Sequence, residues 1–205
     1  MTETYALIEV ALIEPNSATV RNMREALGQL GIRNIRNCSD ISVLSETTGG
    51  SFPDLVIVDV DSPAVEGLKV IQLLRTDSAL PNPFVSVIAC AEQPSASLRH
   101  KVDNSGADAL LVKPFTRKHL VDMVQGLIAG RRPFVVSTDY IGPDRRKNPR
   151  DDTKVAVLAV PNTLRAKATG HWSLKEAQER IAAGVSWLSE RKAQSDSFQV
   201  AFLLE

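Results

Sequence analysis

The chain has 205 residues, of which 43% are hydrophobic, with 24 basic side chains balanced by 24 acidic ones; that is enough for one ordinary domain with an appendage, or for two small ones. No run approaches the roughly 20 apolar residues of a membrane span. Up to Gly130 there are 11 Lys/Arg against 15 Asp/Glu, and thereafter 13 against 9, so neither part has the concentrated positive charge that nucleic acid would require.

The N-terminal apolar stretch is broken by Glu3, Glu9 and Glu14 and has no basic lead. It is unlike a secretory signal, and a cytoplasmic location is expected. Val10 to Ile13 is a short apolar run ending in Glu14, Pro15 and Asn16. From Ser17 the spacing of Val20, Met23, Leu27 and Leu30 predicts a helix stopped by Gly31. Ile32 to Cys38 is a weaker strand, and Asp40 is placed to cap a short helix through Thr47, ended by Gly49 and Gly50. Leu55 to Val58 then gives four consecutive β-favouring apolar residues, the pattern of a strand buried on both faces in a parallel sheet. That strand runs directly into Asp59.

Leu68, Val70, Ile71 and Leu74 predict a helix ending before Pro81 and Pro83, and Phe84 to Ala89 the next strand. A helix from about Pro94 to Asn104 is closed by Gly106. Ala109 to Val112 forms a fifth strand leading into Lys113, Pro114 and Phe115. Thr116 caps a helix with Leu120, Met123, Val124, Leu127 and Ile128 on one face. Five strand–helix units in about 130 residues imply the α/β, flavodoxin-like doubly wound class: a five-stranded parallel sheet in the order 2-1-3-4-5, helices on both faces, with a C-terminal helical extension. Cys38 and Cys90 would then be three strand spacings apart, on the order of 14 Å, too far for a disulfide. They have no metal-ligand spacing to each other or to His100, His119 and His171, which are expected to be solvated or locally bonded.

Three polar groups converge on the carboxyl edge of this sheet: Glu14 after the first strand, Asp59 after the third and Lys113 after the fifth. Together with the Pro-Asp-Leu-Val-Ile-Val-Asp strand, the Ser-Gly-Ala-Asp-Ala run at 105–109 and Lys113-Pro114-Phe115, the arrangement resembles the receiver domain of two-component response regulators over residues 8–130. The resemblance implies that Asp59 accepts a phosphoryl group, that Lys113 contacts it and that the Lys113–Pro114 peptide is cis. It also implies a Mg²⁺ ion near Glu14 and Asp59, and a histidine kinase or phosphotransfer protein as partner.

The residue types suit that chemistry. A carboxylate is a nucleophile toward phosphorus, an ammonium neutralises phosphoryl oxygens, and Mg²⁺ prefers oxygen ligands. There are departures. Pro15 stands where such receivers carry a second acidic residue, so Asp61, or Glu14 through water, would have to supply the missing charge. The strand-four position that usually bears Ser or Thr is Ala91, or Cys90 in the neighbouring register, and the strand-five aromatic position is Leu110. A pseudo-receiver that docks partners without phosphorylation is therefore the alternative. A flavin or nucleotide site is disfavoured, because Glu14-Pro15-Asn16 is not a glycine-rich phosphate cradle.

Residues 131–170 are expected to be a linker containing Gly142-Pro143-Asp144-Arg145-Arg146, with Arg150 and Lys147 completing a small basic cluster, and Val155 to Val160 a short strand or docking segment. Residues 171–205 are expected to form a helix and an apolar end. Ser173 to Glu176 matches a capping box with Trp172 as a hydrophobic staple, and Leu174, Ala177, Ile181, Val185 and Leu188 make one stripe. The alternation of Phe198, Val200, Phe202 and Leu204 suggests a strand or an interacting end. The stripe must be buried on the receiver, on the Val155 segment or in a homodimer, with dimerisation or partner docking favoured. No helix pair around a glycine turn is legible, so a DNA-binding output domain is not expected.

Overall fold

The computed structural model describes residues 4–39, 52–146 and 156–203, with side chains described to residue 197. The expected helix from Asp40 to Thr47 lies outside the described residues, as do Val155 and the basic residues Lys147 and Arg150.

Strands β1 (Glu9–Ile13), β2 (Asn34–Asn37), β3 (Leu55–Asp59), β4 (Ser86–Ala91) and β5 (Ala109–Val112) form one parallel sheet in the order β2-β1-β3-β4-β5. β3 is buried at every position, as a central strand covered on both faces must be. Side chains alternate between two cores. On one face Val10, Leu12, Leu55, Ile57, Ile88, Cys90 and Leu111 pack with α1 (Ser17–Gln29) and α4 (Arg117–Ala129). On the other Ala11, Ile13, Val56, Val58, Ala89 and Ala91 pack with α2 (Gly67–Thr76) and α3 (Ala96–Ser105). Loop chemistry sets the helix starts: Asn16 accepts from Ala18 and Thr19 amides, Ser95 from Leu98 and Thr116 from His119. Gly106 ends α3 at φ +92°, a conformation suited to glycine. Lys113–Pro114 is cis, and no disulfide joins Cys38 to Cys90.

Beyond Gly130 the chain departs from the expected solvated linker. Strands β6 (Phe134–Val136) and β7 (Ile141–Pro143) form an antiparallel hairpin, and Leu158 bridges to Phe134. A short helix, α5 (Thr163–Ala168), lies against α4 and the N-terminal turn Thr4–Leu7; its sequence is too short to show a period. Helix α6 (Leu174–Leu203) then runs for 30 residues. Its stripe divides. Leu188 is buried and Ile181 partly buried against Phe84 and Phe134, while Leu174 and Val185 remain exposed. The centre of the stripe is thus taken jointly by the receiver's Phe84, the tail hairpin and Leu158 and Val160 of the segment expected to dock. Gly184 permits the close approach, since a Cβ there would lie 2.6 Å from the Phe84 ring.

Two local expectations are corrected. The Phe198 to Leu204 alternation does not end α6 in a strand, because the helix continues through Leu203. The capping box is half made: Ser173 accepts from the Glu176 amide, but Glu176 pairs with Arg180 and the Trp172 ring stacks against Lys167 Nζ at 4.6 Å.

Candidate functional site

Parallel pairing carries β1, β3 and β5 to a common edge, and the residues that follow each strand meet there. Lys113 Nζ donates to Glu14 Oε2 and to Asp59 Oδ2, at 2.9 Å in each case. The second oxygens are also held: Asn16 N donates to Glu14 Oε1 at 2.9 Å, and the Asp61 and Ser62 amides donate to Asp59 Oδ1 at 3.1 and 3.2 Å. Asp59 thus both accepts the lysine and starts its own turn, as short polar side chains at strand ends do. Asp61 stands beside it, with Oδ2 accepting from the Glu92 amide at 2.6 Å. All four sequence-expected site residues, Glu14, Asp59, Asp61 and Lys113, therefore lie together.

Their electrostatics differ with their partners. Burial pushes the Asp59 carboxyl up, but hydrogen bonds from Asp61 and Lys113 outweigh it and hold the group below the ordinary carboxylate value. Asp61 is raised, by burial and then by its negative neighbour. For Lys113 burial favours the neutral amine, yet the hydrogen bonds to Asp59 and Glu14 prevail and keep it protonated. A carboxyl-carbon NMR titration is expected to resolve two steps for the aspartate pair, one below and one above the ordinary 3.8. The sign follows from linkage. The stabilisation from Asp59 is present above 3.8 and lost as pH falls through its lowered folded value, while Asp61 opposes stability above 3.8 as it ionises.

Asp59 pairs with Cys90, and Cys90 shares the face of Ile57 and Leu111, whereas Ala91 points into the opposite core. The thiol therefore stands beside the acid cluster. Burial, chiefly, pushes it up to about 12, so it stays a protonated weak donor rather than a thiolate. Leu110 packs at the edge of the opposite core.

The backbone around Asp59 is equally constrained. A Cβ on Gly67, the first residue of α2, would lie 1.9 Å from the Asp59 carbonyl oxygen, so only glycine lets the helix begin there.

Two buried carboxylates at the other edge of the sheet were not legible as important. Asp54, just before β3, receives Lys167 Nζ from α5 at 2.8 Å and the Glu9 amide at 2.9 Å. Asp108, just before β5, receives Arg75 Nη2 at 3.1 Å, Arg131 Nε at 3.0 Å and the Val87 amide at 2.8 Å. Both guanidinium groups stack on Phe134, at 5.1 and 5.3 Å from its centroid. Arg145 of the Gly-Pro-Asp-Arg-Arg run bonds the Ala107 carbonyl and pairs with Asp103. The sequence signal was an aspartate directly preceding the two strands that deliver Asp59 and Lys113.

A doubly wound sheet whose carboxyl edge presents a lysine bridging two carboxylates defines the receiver class of signalling domain. The chain belongs to the response regulator receiver domain family of two-component systems, whose sequence model matches residues 10–125. The polar-differentiation response regulator DivK of Brucella ovis is 24% identical over 120 residues, spanning 58% of this chain and 94% of that protein. DivK of Brucella anthropi is 23% identical over the same shares. Among solved structures, a receiver domain of a histidine kinase from Clostridium thermocellum has a TM-score of 0.52 at 20% identity, covering 59% of this chain and 97% of that one. Vibrio cholerae CheY4 has a TM-score of 0.51 at 20% identity, covering 59% and 98%. These structural likenesses concern the fold and stop short of the tail. Among the described residues, no helix is long and apolar enough to cross a membrane.

Proposed function

We propose that this protein is a cytoplasmic phosphorelay receiver in which Asp59 accepts a phosphoryl group from a phosphohistidine on a histidine kinase or phosphotransfer protein. The observation that carries the proposal is the Lys113 ammonium 2.9 Å from both Glu14 and Asp59, beside a carboxylate held ionised. An Asp59 oxygen forms the new P–O bond as the P–N bond to the donor imidazole breaks, and the imidazole, already protonated on its other ring nitrogen, leaves as the neutral ring. Lys113 moves its charge from the carboxylates to the phosphoryl oxygens. The Cys90 thiol beside Asp59 can offer only a weak S–H donor, and Ala91 offers none. The domain passes a signal and performs no turnover on a small substrate of its own.

By residue chemistry the carboxylates Glu14, Asp59 and Asp61 suit a hard divalent cation, although among the described residues they do not gather into a group of three that holds one as placed. With one ammonium they leave two negative charges, and Asp61 is raised first by burial and then by its negative neighbour Asp59. Mg²⁺ would be held by Glu14, Asp59 and Asp61, with Asp61 replacing the ligand that Pro15 cannot supply, and would neutralise phosphoryl oxygens when bound. The exposed Leu174 and Val185 on α6 leave that helix a surface for a protein partner or second copy.

Intact mass after exposure to a small-molecule phosphodonor tests the proposal. The wild type is expected to gain one phosphoryl group only with Mg²⁺, and Asp59→Asn none. Asp61→Asn is expected to raise the Mg²⁺ requirement by at least about tenfold. Labelling of Asp59→Asn would place the acceptor on another residue, and no labelling of the wild type would point to the partner-docking role.

A further inference from the structure

The two strands that deliver Asp59 and Lys113 are each fastened at the opposite end by a cation from the tail. Lys167 of α5 seats on Asp54, one residue before β3, and Arg131 seats on Asp108, one residue before β5. All four side chains are at least 95% buried, so each pairing excludes water and tolerates little change in geometry. From Asp54 to Asp59, and from Asp108 to Lys113, the span is five residues, roughly 17 Å along a strand. β3 is hydrogen-bonded on both sides, to β1 and β4, and β5, at the sheet edge, on one, to β4.

We infer that Lys167 and Arg131 are positioning residues for the Asp59 site: by fixing the N-terminal ends of β3 and β5 they set the 2.9 Å approach of Lys113 to Asp59 at the other end. The tail is then part of the receiver's machinery instead of an output domain hung from it. Two features support this over a purely adhesive role. The tail cations seat at the starts of the two strands that deliver Asp59 and Lys113, and Arg131 shares Asp108 with Arg75, which also ties Pro83, Val85 and Gly106 around the starts of β4 and β5. A small tilt of β3 against β5 therefore strains the Lys167–Asp54 pair at one strand and the Asp108 network at the other. Release of the tail lets that tilt occur, lengthens the Lys113–Asp59 approach and slows phosphoryl uptake.

The inference rests on Asp59 as phosphoacceptor, and the test keeps the two separable. Full-length wild type is compared with Lys167→Met, Lys167→Arg and the double variant Asp54→Asn/Lys167→Met, which removes the ion pair without leaving a lone buried charge. Two quantities are read: phosphoryl uptake at saturating small-molecule donor and Mg²⁺, and the backbone amide resonances of Asp61 and Ser62, whose N–H groups donate to Asp59. Uptake is expected to fall roughly fivefold in Lys167→Met and in the double variant, and to recover in Lys167→Arg. The two amide resonances are expected to shift in the same two variants, which a merely adhesive tail would not cause at the far end of the strand. A folded double variant with wild-type uptake and unmoved amide resonances overturns the inference. If wild type itself takes up no phosphoryl group, the phosphoacceptor assignment fails, and the amide resonances alone decide whether the tail sets the site's geometry.

Discussion

Replacing Asp108 with alanine is expected to cost about 3–5 kcal/mol, the range found when one partner of a buried ion pair is removed. The carboxylate receives two guanidinium groups and the Val87 amide. Arg75 is fully enclosed, and burial already pulls its guanidinium down to about 10 against the support of Asp108. Without Asp108, Arg75 retains its carbonyl partners Gly106, Pro83 and Val85 but loses its counter-charge, and Arg131 loses the anchor that brings the tail home. Urea unfolding measures the loss, and limited proteolysis after Gly130 is expected to become faster than in wild type. A midpoint within experimental error of wild type would mean that the network is solvated in solution. Asp108→Asn keeps the shape and part of the hydrogen bonding and is expected to lose less.

Gly67→Ala is expected to destabilise the fold by roughly 3 kcal/mol and to impair phosphoryl uptake at once, because the added methyl must displace the backbone. The obstacle is the Asp59 carbonyl oxygen, 1.9 Å from where the Cβ would stand, followed by Asp59 C at 2.8 Å and Val60 Cα at 2.9 Å. None of these is the end of a flexible side chain. Either α2 lifts away from the sheet, weakening the packing of Val70, Ile71 and Leu74, or the Asp59 peptide turns and its carboxylate leaves Lys113. Thermal unfolding and phosphoryl uptake read the two outcomes separately. Gly28, at the exposed side of α1, has nothing within 4 Å of its would-be Cβ and serves as the control: Gly28→Ala is expected to be neutral or slightly stabilising, as alanine is the better helix former.

The contrast between these glycines shows where sequence stops being informative. Both stand in helical patterns, and nothing adjacent in the chain separates them. The difference is a carbonyl eight residues earlier, brought close only by the way α2 starts over the end of β3. The same holds for Gly184, which reads as a flaw in a helix until Phe84, a hundred residues earlier, is found against it.

What the sequence determined by itself was whatever depends on local period and on the order of elements. Four apolar residues before Asp59, the caps at Thr116 and the helix stops at Gly31 and Gly106 specified the strand–helix alternation. The flavodoxin-like class that this alternation implied carries the order 2-1-3-4-5, which the sheet has, and any all-parallel arrangement of these strands brings Glu14, Asp59 and Lys113 to one edge. The tertiary structure alone decided three matters. It put Cys90 rather than Ala91 beside Asp59, because a one-residue change of register reverses the face of every side chain on a strand. It turned Arg131 and Lys167 from apparent solvated charges into buried anchors, because a lone lysine or arginine in a polar stretch carries no local sign of the aspartate it will meet. It laid α6 on Phe84 and Phe134, because an amphipathic stripe states that a partner is needed and leaves its identity to the surfaces that the rest of the chain provides.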